Sequence, residues 1–355
     1  MRKLSLRILV GLVTLGISVG SSWLLRHVRE LRPTPAEAAP CLTAAPPSTP
    51  AVFVVDDDHA EYPDDKPLSP WEIYFFIDSH PQAKLGGLWT RLHVKADETR
   101  VSDFSECGSC SVKLDWYDLD AEPGDEALLK ISDGEFYRYL VFKAVGDGDD
   151  FKFIGHVDEW GKYEEPQSYV VISGGLTWLV SRGQSASGSG VAYYHNQVFE
   201  VNKNRLKEVA SYECEGSQSG WDGWPTKWFT TRILDVQKSR TQTRVKVEFN
   251  IEYSWSTLSD KELTLFSKRQ VAVFVSTHHS ASVLDLGEST VTQRELEHIY
   301  TVDSMTEHDF LKYNLSELLN LARRRNKAQK NWLKEYLERC DGSAEKRQLQ
   351  AALAN

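Results

Sequence analysis

Residues 111–158 read SVKLDWYDLDAEPGDEALLKISDGEFYRYLVFKAVGDGDDFKFIGHVD. Four runs rich in β-branched and aromatic residues lie at 111–117, 126–131, 137–143 and 151–158. Ser132, Asp133 and Gly134 punctuate one junction, and Gly146, Asp147, Gly148 and Asp149 the next. Short apolar runs separated by Gly- and Asp-rich turns indicate neighbouring antiparallel strands. The pattern continues through 169–173, 176–182, 191–201, 206–212, 230–236, 244–253 and 270–276. Strands follow strands without helix-length interruptions, which argues against a βαβ dinucleotide fold. The expectation is a mainly β fold over residues 51–290, an antiparallel meander, a sandwich or a propeller-like stack. No strict period recurs, so a regular repeat is not indicated.

The spacing changes near residue 292. Leu311, Leu315, Leu318 and Ala322 fall on one helical stripe, and Leu333, Tyr336, Leu337 and Cys340 on another. Thr306 followed by Asp309 offers a helix start. These features predict a helical C-terminal region over 291–355, written as one long α-helix. Arg323, Arg324, Arg325, Lys327 and Lys330 lie between the stripes. Such a run reads as a solvated helix face, or as a contact for anionic lipid or for the acidic β domain.

At the other end, Arg2, Lys3 and Arg7 precede an uncharged, mostly apolar run over 8–25, and Arg26, Arg29 and Arg32 follow it. Residues 1–32 therefore read as a membrane-engaging segment. It is either a secretory signal, with Ala36, Ala38 and Ala39 as small residues for cleavage, or an uncleaved anchor. Pro40 before Cys41 disfavours lipidation. Residues 33–50, rich in Pro, Ala, Ser and Thr, form an extended linker. The body is thereby expected outside the cytoplasm, membrane-anchored or secreted.

The chain carries 51 acidic against 41 basic residues, a net charge of −10. Its first 39 residues are net basic, so the remainder is more acidic still. A nucleic-acid partner needs a positive footprint and is not expected. Six acids, Asp56, Asp57, Asp58, Glu61, Asp64 and Asp65, crowd the start of the body; they read as a solvated edge.

Residues 118–126, DLDAEPGDE, follow the strand 113–117 and place Asp118, Asp120, Glu122 and Glu126 at positions 1, 3, 5 and 9, with the Gly124 carbonyl between. Ca²⁺ takes six to eight oxygen ligands. The loop resembles the calcium loop of the integrin-type FG-GAP repeat over about twenty residues, once in the chain. The resemblance implies Ca²⁺ as cofactor. Glu122 stands for the family's shorter Asp, and Pro123 for its Gly.

Cys107 and Cys110 form CGSC. A strand follows it where a thioredoxin-like motif needs a helix, and zinc lacks a second CxxC. A disulfide is expected, within this pair or from one of them to Cys214. GxSxG, HExxH and GxxxxGK[ST] do not occur in the sequence. His278 and His279 are adjacent and point to opposite strand faces. His195, in VAYYHNQVFEV, reads as a structural strand residue. The segment 185–190, SASGSG, lacks the following helix a phosphate loop requires. Trp221, Trp224 and Trp228 cluster beside Gly220, Gly223 and Pro225. Such a loop either stacks on sugars or anchors a partner, or covers the end of the core. The composition therefore points to a non-catalytic, extracytoplasmic module that binds a protein or glycan. A hydrolase of polysaccharide or peptidoglycan, using two facing carboxylates, is the alternative.

Overall fold

The computed structural model describes residues 60–94, 109–120, 122, 124–145, 150–188, 190–202, 204–220, 224–256, 262–277, 280–300 and 305–354. The apolar segment 8–25, the linker, Cys41, Cys107, Trp221, His278 and His279 lie outside them. Contacts divide the chain between Met1–Asp56 and Asp57–Asn355, and everything below concerns the second unit. No helix among the described residues is long and apolar enough to cross a membrane.

The expectation of a mainly β fold holds. Two antiparallel sheets follow in chain order. The first contains β1 (Ser111–Tyr117), β2 (Glu126–Ser132), β3 (Phe136–Val145) and β4 (Asp150–Trp160). The second contains β5 (Gln167–Ser173), β6 (Leu176–Gly188), β7 (Val191–Asn202), β8 (Arg205–Gln218), β9 (Thr226–Lys238), β10 (Gln242–Ser256), β11 (Glu262–Thr277) and β12 (Ser280–Leu284). Each strand pairs with its neighbours in sequence, so both sheets are meanders.

Burial explains why the central strands are apolar on both faces. In β3, Leu140 and Phe142 pack with Ala127, Leu129 and Ile131 beneath two short helices, α1 (Pro70–Ser79) and α2 (Gly86–Arg91). The alternate residues Tyr137, Tyr139 and Val141 face the second sheet, meeting Leu179, Phe199 and Val201. A strand covered on both sides loses hydrophobic alternation, as a doubly buried strand must. Arg138, on the helical side of β3, is buried. Its guanidinium binds both oxygens of Asp158 at 2.7 and 2.8 Å and lies 4.7 Å over the Trp89 ring.

The second sheet curls. β8 pairs with β9 over four residues only, Glu215–Gln218. Beyond them the strands diverge, and β8 crosses toward the far half of the sheet. There Tyr212 stacks on Phe274 at 5.5 Å, and the Lys207 ammonium donates to the Thr277 carbonyl. β10 turns Val245, Val247, Phe249, Ile251 and Tyr253 into the resulting core.

Helices close that core. They are α3 (Gln293–Tyr300), α4 (Glu307–Tyr313), α5 (Leu315–Arg323), α6 (Lys327–Arg339) and α7 (Ala344–Ala354). Phe310 is the hub, with ring contacts to Trp224, Tyr253, Phe266 and Tyr336. The layers run helix, sheet, sheet, helix. This corrects the single long C-terminal helix: the longest described there has 13 residues. Polar residues at the junctions stop each segment and restart it. Thr306 and Asp309 form a capping box at α4, and the Asn326 side chain accepts the Ala328 and Gln329 N–H groups at α6.

Helices α1 and α2 add two short helical segments to the β-rich region expected over 51–290. Ser69 accepts the Glu72 N–H, and Pro70 occupies the first helical position, which suits its fixed φ and missing donor.

Candidate functional site

The 118–126 loop joins β1 to β2. Gly124 adopts a φ of +108° there, a backbone that favours glycine. Glu126, at the first position of β2, is 1% exposed. Its Oε2 accepts the Leu119 N–H at 2.8 Å. Burial pushes its carboxyl up to about 7, helped by the negative charge of Asp120 and opposed by the Leu119 hydrogen bond. Asp120 and Glu122 turn instead to the Lys143 ammonium on β3, the latter at 2.8 Å. Asp118 is exposed. The β2–β3 pairing brings that lysine in, so its ammonium engages two of the four carboxylates of the loop. The residues present do not fit Ca²⁺: one carboxylate is drawn inward, two are held by an ammonium, and one faces solvent. No group of three or more His, Cys, Asp or Glu among the described residues is arranged to hold a metal.

Trp224 and Trp228, the two described tryptophans of that cluster, do not converge on a ligand surface. Trp224 lies 5.8 Å from the Phe310 ring and 6.1 Å from Tyr336, edge-on to both. It belongs to the core cover. Trp228 sits on β9 opposite Glu252 and Ser217. It alternates with buried Lys227 and Phe229, so it faces away from the core.

Cys110 is disulfide-bonded and packs in the core beneath α1. The expected bridge to Cys214 is corrected: Cys214 and Cys340 are free, buried thiols. Cys214 faces the other core, under the C-terminal helices, and burial pushes its thiol up to about 12.

Two charged arrangements escaped the sequence. The first lies between the sheets. Glu159 on β4 has a fully buried side chain, and its Oε2 is 3.0 Å from His195 Nε2 on β7, an ion pair when the imidazole is protonated. Neither carboxylate oxygen meets a well-aligned hydrogen-bond donor among the described residues. Gly183 on β6 makes the room: a Cβ there would fall 1.7 Å from Glu159 Oε2. Glu208 on β8 accepts the Gln197 amide at 3.1 Å, and burial pushes its carboxyl up, with the Glu159 charge adding to this. His195 thus ties one sheet to the other. The second arrangement is Lys227, wholly buried on β9. Its ammonium donates to the His298 and Ile299 carbonyls at 3.0 and 2.6 Å, capping the C-terminal end of α3. Burial pulls it down to about 7.

No protein-family model matches this chain, and no curated protein matches it either.

The open surface of the C-terminal layer carries a different chemistry. A trough of about 500 Å³ runs between β11 and α4–α5, lined by Lys268, Arg269, Gln270, Lys312, Tyr313 and Ser316 among others. A second, of about 520 Å³, lies between α5, α6 and α7, with Arg323, Lys330 and Gln348 in its wall. Leu319 lines both, so they adjoin. The Lys268 ammonium donates to the Tyr313 carbonyl, and burial lowers its pKa. Arg269, Lys312, Arg323 and Lys330 have no ion pair among the described residues, and Glu317 is the one carboxylate in either wall. In a chain of net charge −10, this gathers a positive excess on one concave face, offset in part by Glu317 and by Glu345 near Lys312.

Proposed function

We propose that this chain is a non-catalytic binding module acting outside the cytoplasm, anchored in or secreted across a membrane by residues 1–32, and that it takes a protein or glycan on its C-terminal helical face. The adjoining troughs carry the reading. They are concave, open and lined by cations that lack an ion pair among the described residues, which is the complement of a negatively charged ligand. The hydrolase alternative needs paired carboxylates within reach of a polymer. The pair flanking His195 suits it poorly, because Glu159 is fully enclosed. The compartment follows from the Arg-flanked apolar run and agrees with the disulfide at Cys110.

A photo-crosslinking residue at Ser316, exposed in the trough wall, should capture a protein or glycan in the producing cell. The same residue at Asp150, on the first sheet, should capture none. Equal capture at both positions, or none at Ser316, would refute the binding face. Retention of the full chain in washed membranes, or its release into the medium, tests the compartment; recovery from the cytosol with residues 1–32 intact counts against it.

A further inference from the structure

We infer that the paired troughs form an extended subsite for an acidic polysaccharide, a polymer of sugar units bearing carboxylate groups. This assignment rests on the binding-module reading and sharpens its ligand.

Four observations carry it. The first is charge: Arg269, Lys312, Arg323 and Lys330 line the walls without an ion pair among the described residues; Glu317 is the sole acid in the walls, and Glu345 lies near Lys312 outside them. The second is shape. The troughs share Leu319 and together run from β11 across α5 to α7. One small anion fills a fraction of such a volume, and a flat bilayer does not enter a concavity. A chain of several units follows it. The third is the lining between the cations. Gln270, Ser316 and Gln348 offer amides and a hydroxyl, the groups that bind sugar hydroxyls, while the Thr290 hydroxyl is bonded to the Val271 backbone. Ser316 and Gln348 are exposed in the walls, so their hydroxyl and amide are open to a sugar. The fourth is composition. A protein interface is anchored by desolvated aromatic and large apolar side chains. The apolar lining here is confined to Leu315, Leu319, Ala351 and Ala352, with Tyr313 the one aromatic ring. The Tyr313 ring is itself taken up by His298 at 5.0 Å and by the Lys312 ammonium at 5.8 Å.

The test uses the full chain in a neutral detergent, run on native gels containing polygalacturonate, neutral dextran or polyglutamate. Polygalacturonate should retard the protein, polyglutamate less so and dextran not at all. The retardation should fall as salt rises. A variant combining Arg269→Glu, Lys312→Glu, Arg323→Glu and Lys330→Glu should bind polygalacturonate roughly tenfold more weakly or worse, with unchanged circular dichroism. Gln348→Leu gives a second readout, weakening polygalacturonate while leaving any polyglutamate binding untouched. Equal retardation by polyglutamate and polygalacturonate would overturn the sugar assignment and leave the binding module standing. Absence of retardation by either polyanion, or a charge-reversed variant that binds like the wild type, would remove the ligand from the troughs. The crosslink at Ser316 judges the module independently.

Discussion

Glu126→Gln separates a buried carboxyl from a metal ligand. In the wild type the Glu126 carboxyl is raised from 4.5 to about 7, chiefly by burial. The folded state therefore holds a proton that the unfolded chain releases above pH 4.5. The stability this contributes is complete below pH 4.5 and is lost as pH rises through 7. At 1.36 kcal/mol per pKa unit, the ionised form costs the fold about 3 kcal/mol. Water reaching the exposed neighbours of the loop reduces this to roughly 1.5–3 kcal/mol. Glutamine retains an acceptor for the Leu119 N–H and turns its amide toward Asp120, without a charge to desolvate. The variant should match the wild type at pH 4.5 and exceed it by that amount at pH 8. This corresponds to a Tm gain of roughly 3–8 °C for a body of this size. Thermal unfolding followed by circular dichroism at both pH values, with and without Ca²⁺, is the assay. A variant less stable at pH 8, together with a Ca²⁺-dependent Tm rise confined to the wild type, would refute the reasoning and return the carboxylate to a metal.

Gly183→Ala drives a Cβ onto the Glu159 carboxylate and should destabilise by about 2–4 kcal/mol; adding Glu159→Ala should recover part of the loss, and strictly additive costs in denaturant titrations would show that the two residues do not meet. Lys227, pulled down to about 7 in the fold against 10.5 unfolded, makes stability rise by about 1 kcal/mol per pH unit above 7, because the unfolded chain takes up the extra proton; this slope, measured between pH 7.5 and 8.5 and compared with Lys227→Met, should be absent from the variant. Cys214 and Cys340, buried with raised thiols, should react with Ellman's reagent only after denaturation, and labelling within seconds of either in the native protein would count against their placement.

The strands were readable because local signals specify them. The turn at Ser132, Asp133 and Gly134 and the apolar run of β3 are visible without any partner. Helix α1 was equally local, since Ser69, Pro70 and Glu72 spell its start, but its apolar residues PWEIYFFI resemble a strand. The C-terminal stripes were legible and their interruptions were not: Asn314 and Asn326 look like ordinary helix-face residues until their side chains are seen bonding backbone groups. Sites were harder still. Lys143 reaches Asp120 through the register of β2 on β3, 23 residues away. His195 meets Glu159 only because two separate sheets stack. Trp224 looked like a loop residue beside Gly and Pro; its aromatic neighbours come from helices about 90 and 110 residues onward. The basic run at 323–330 was visible, but the concavity that Arg323 and Lys330 border depends on α7 folding back to supply Gln348, Ala351 and Ala352.

The meander has a consequence for synthesis. Every strand of the curled sheet pairs with one already made, so hydrogen bonding can keep pace with translation. Its aromatic interior has no such fortune, because Phe310 and Tyr336, which roof Tyr253 and Phe266, are synthesised after the strands they cover. The nascent polypeptide is thus stickiest between the emergence of β11 and that of these helices, and a holding chaperone matters most in that interval.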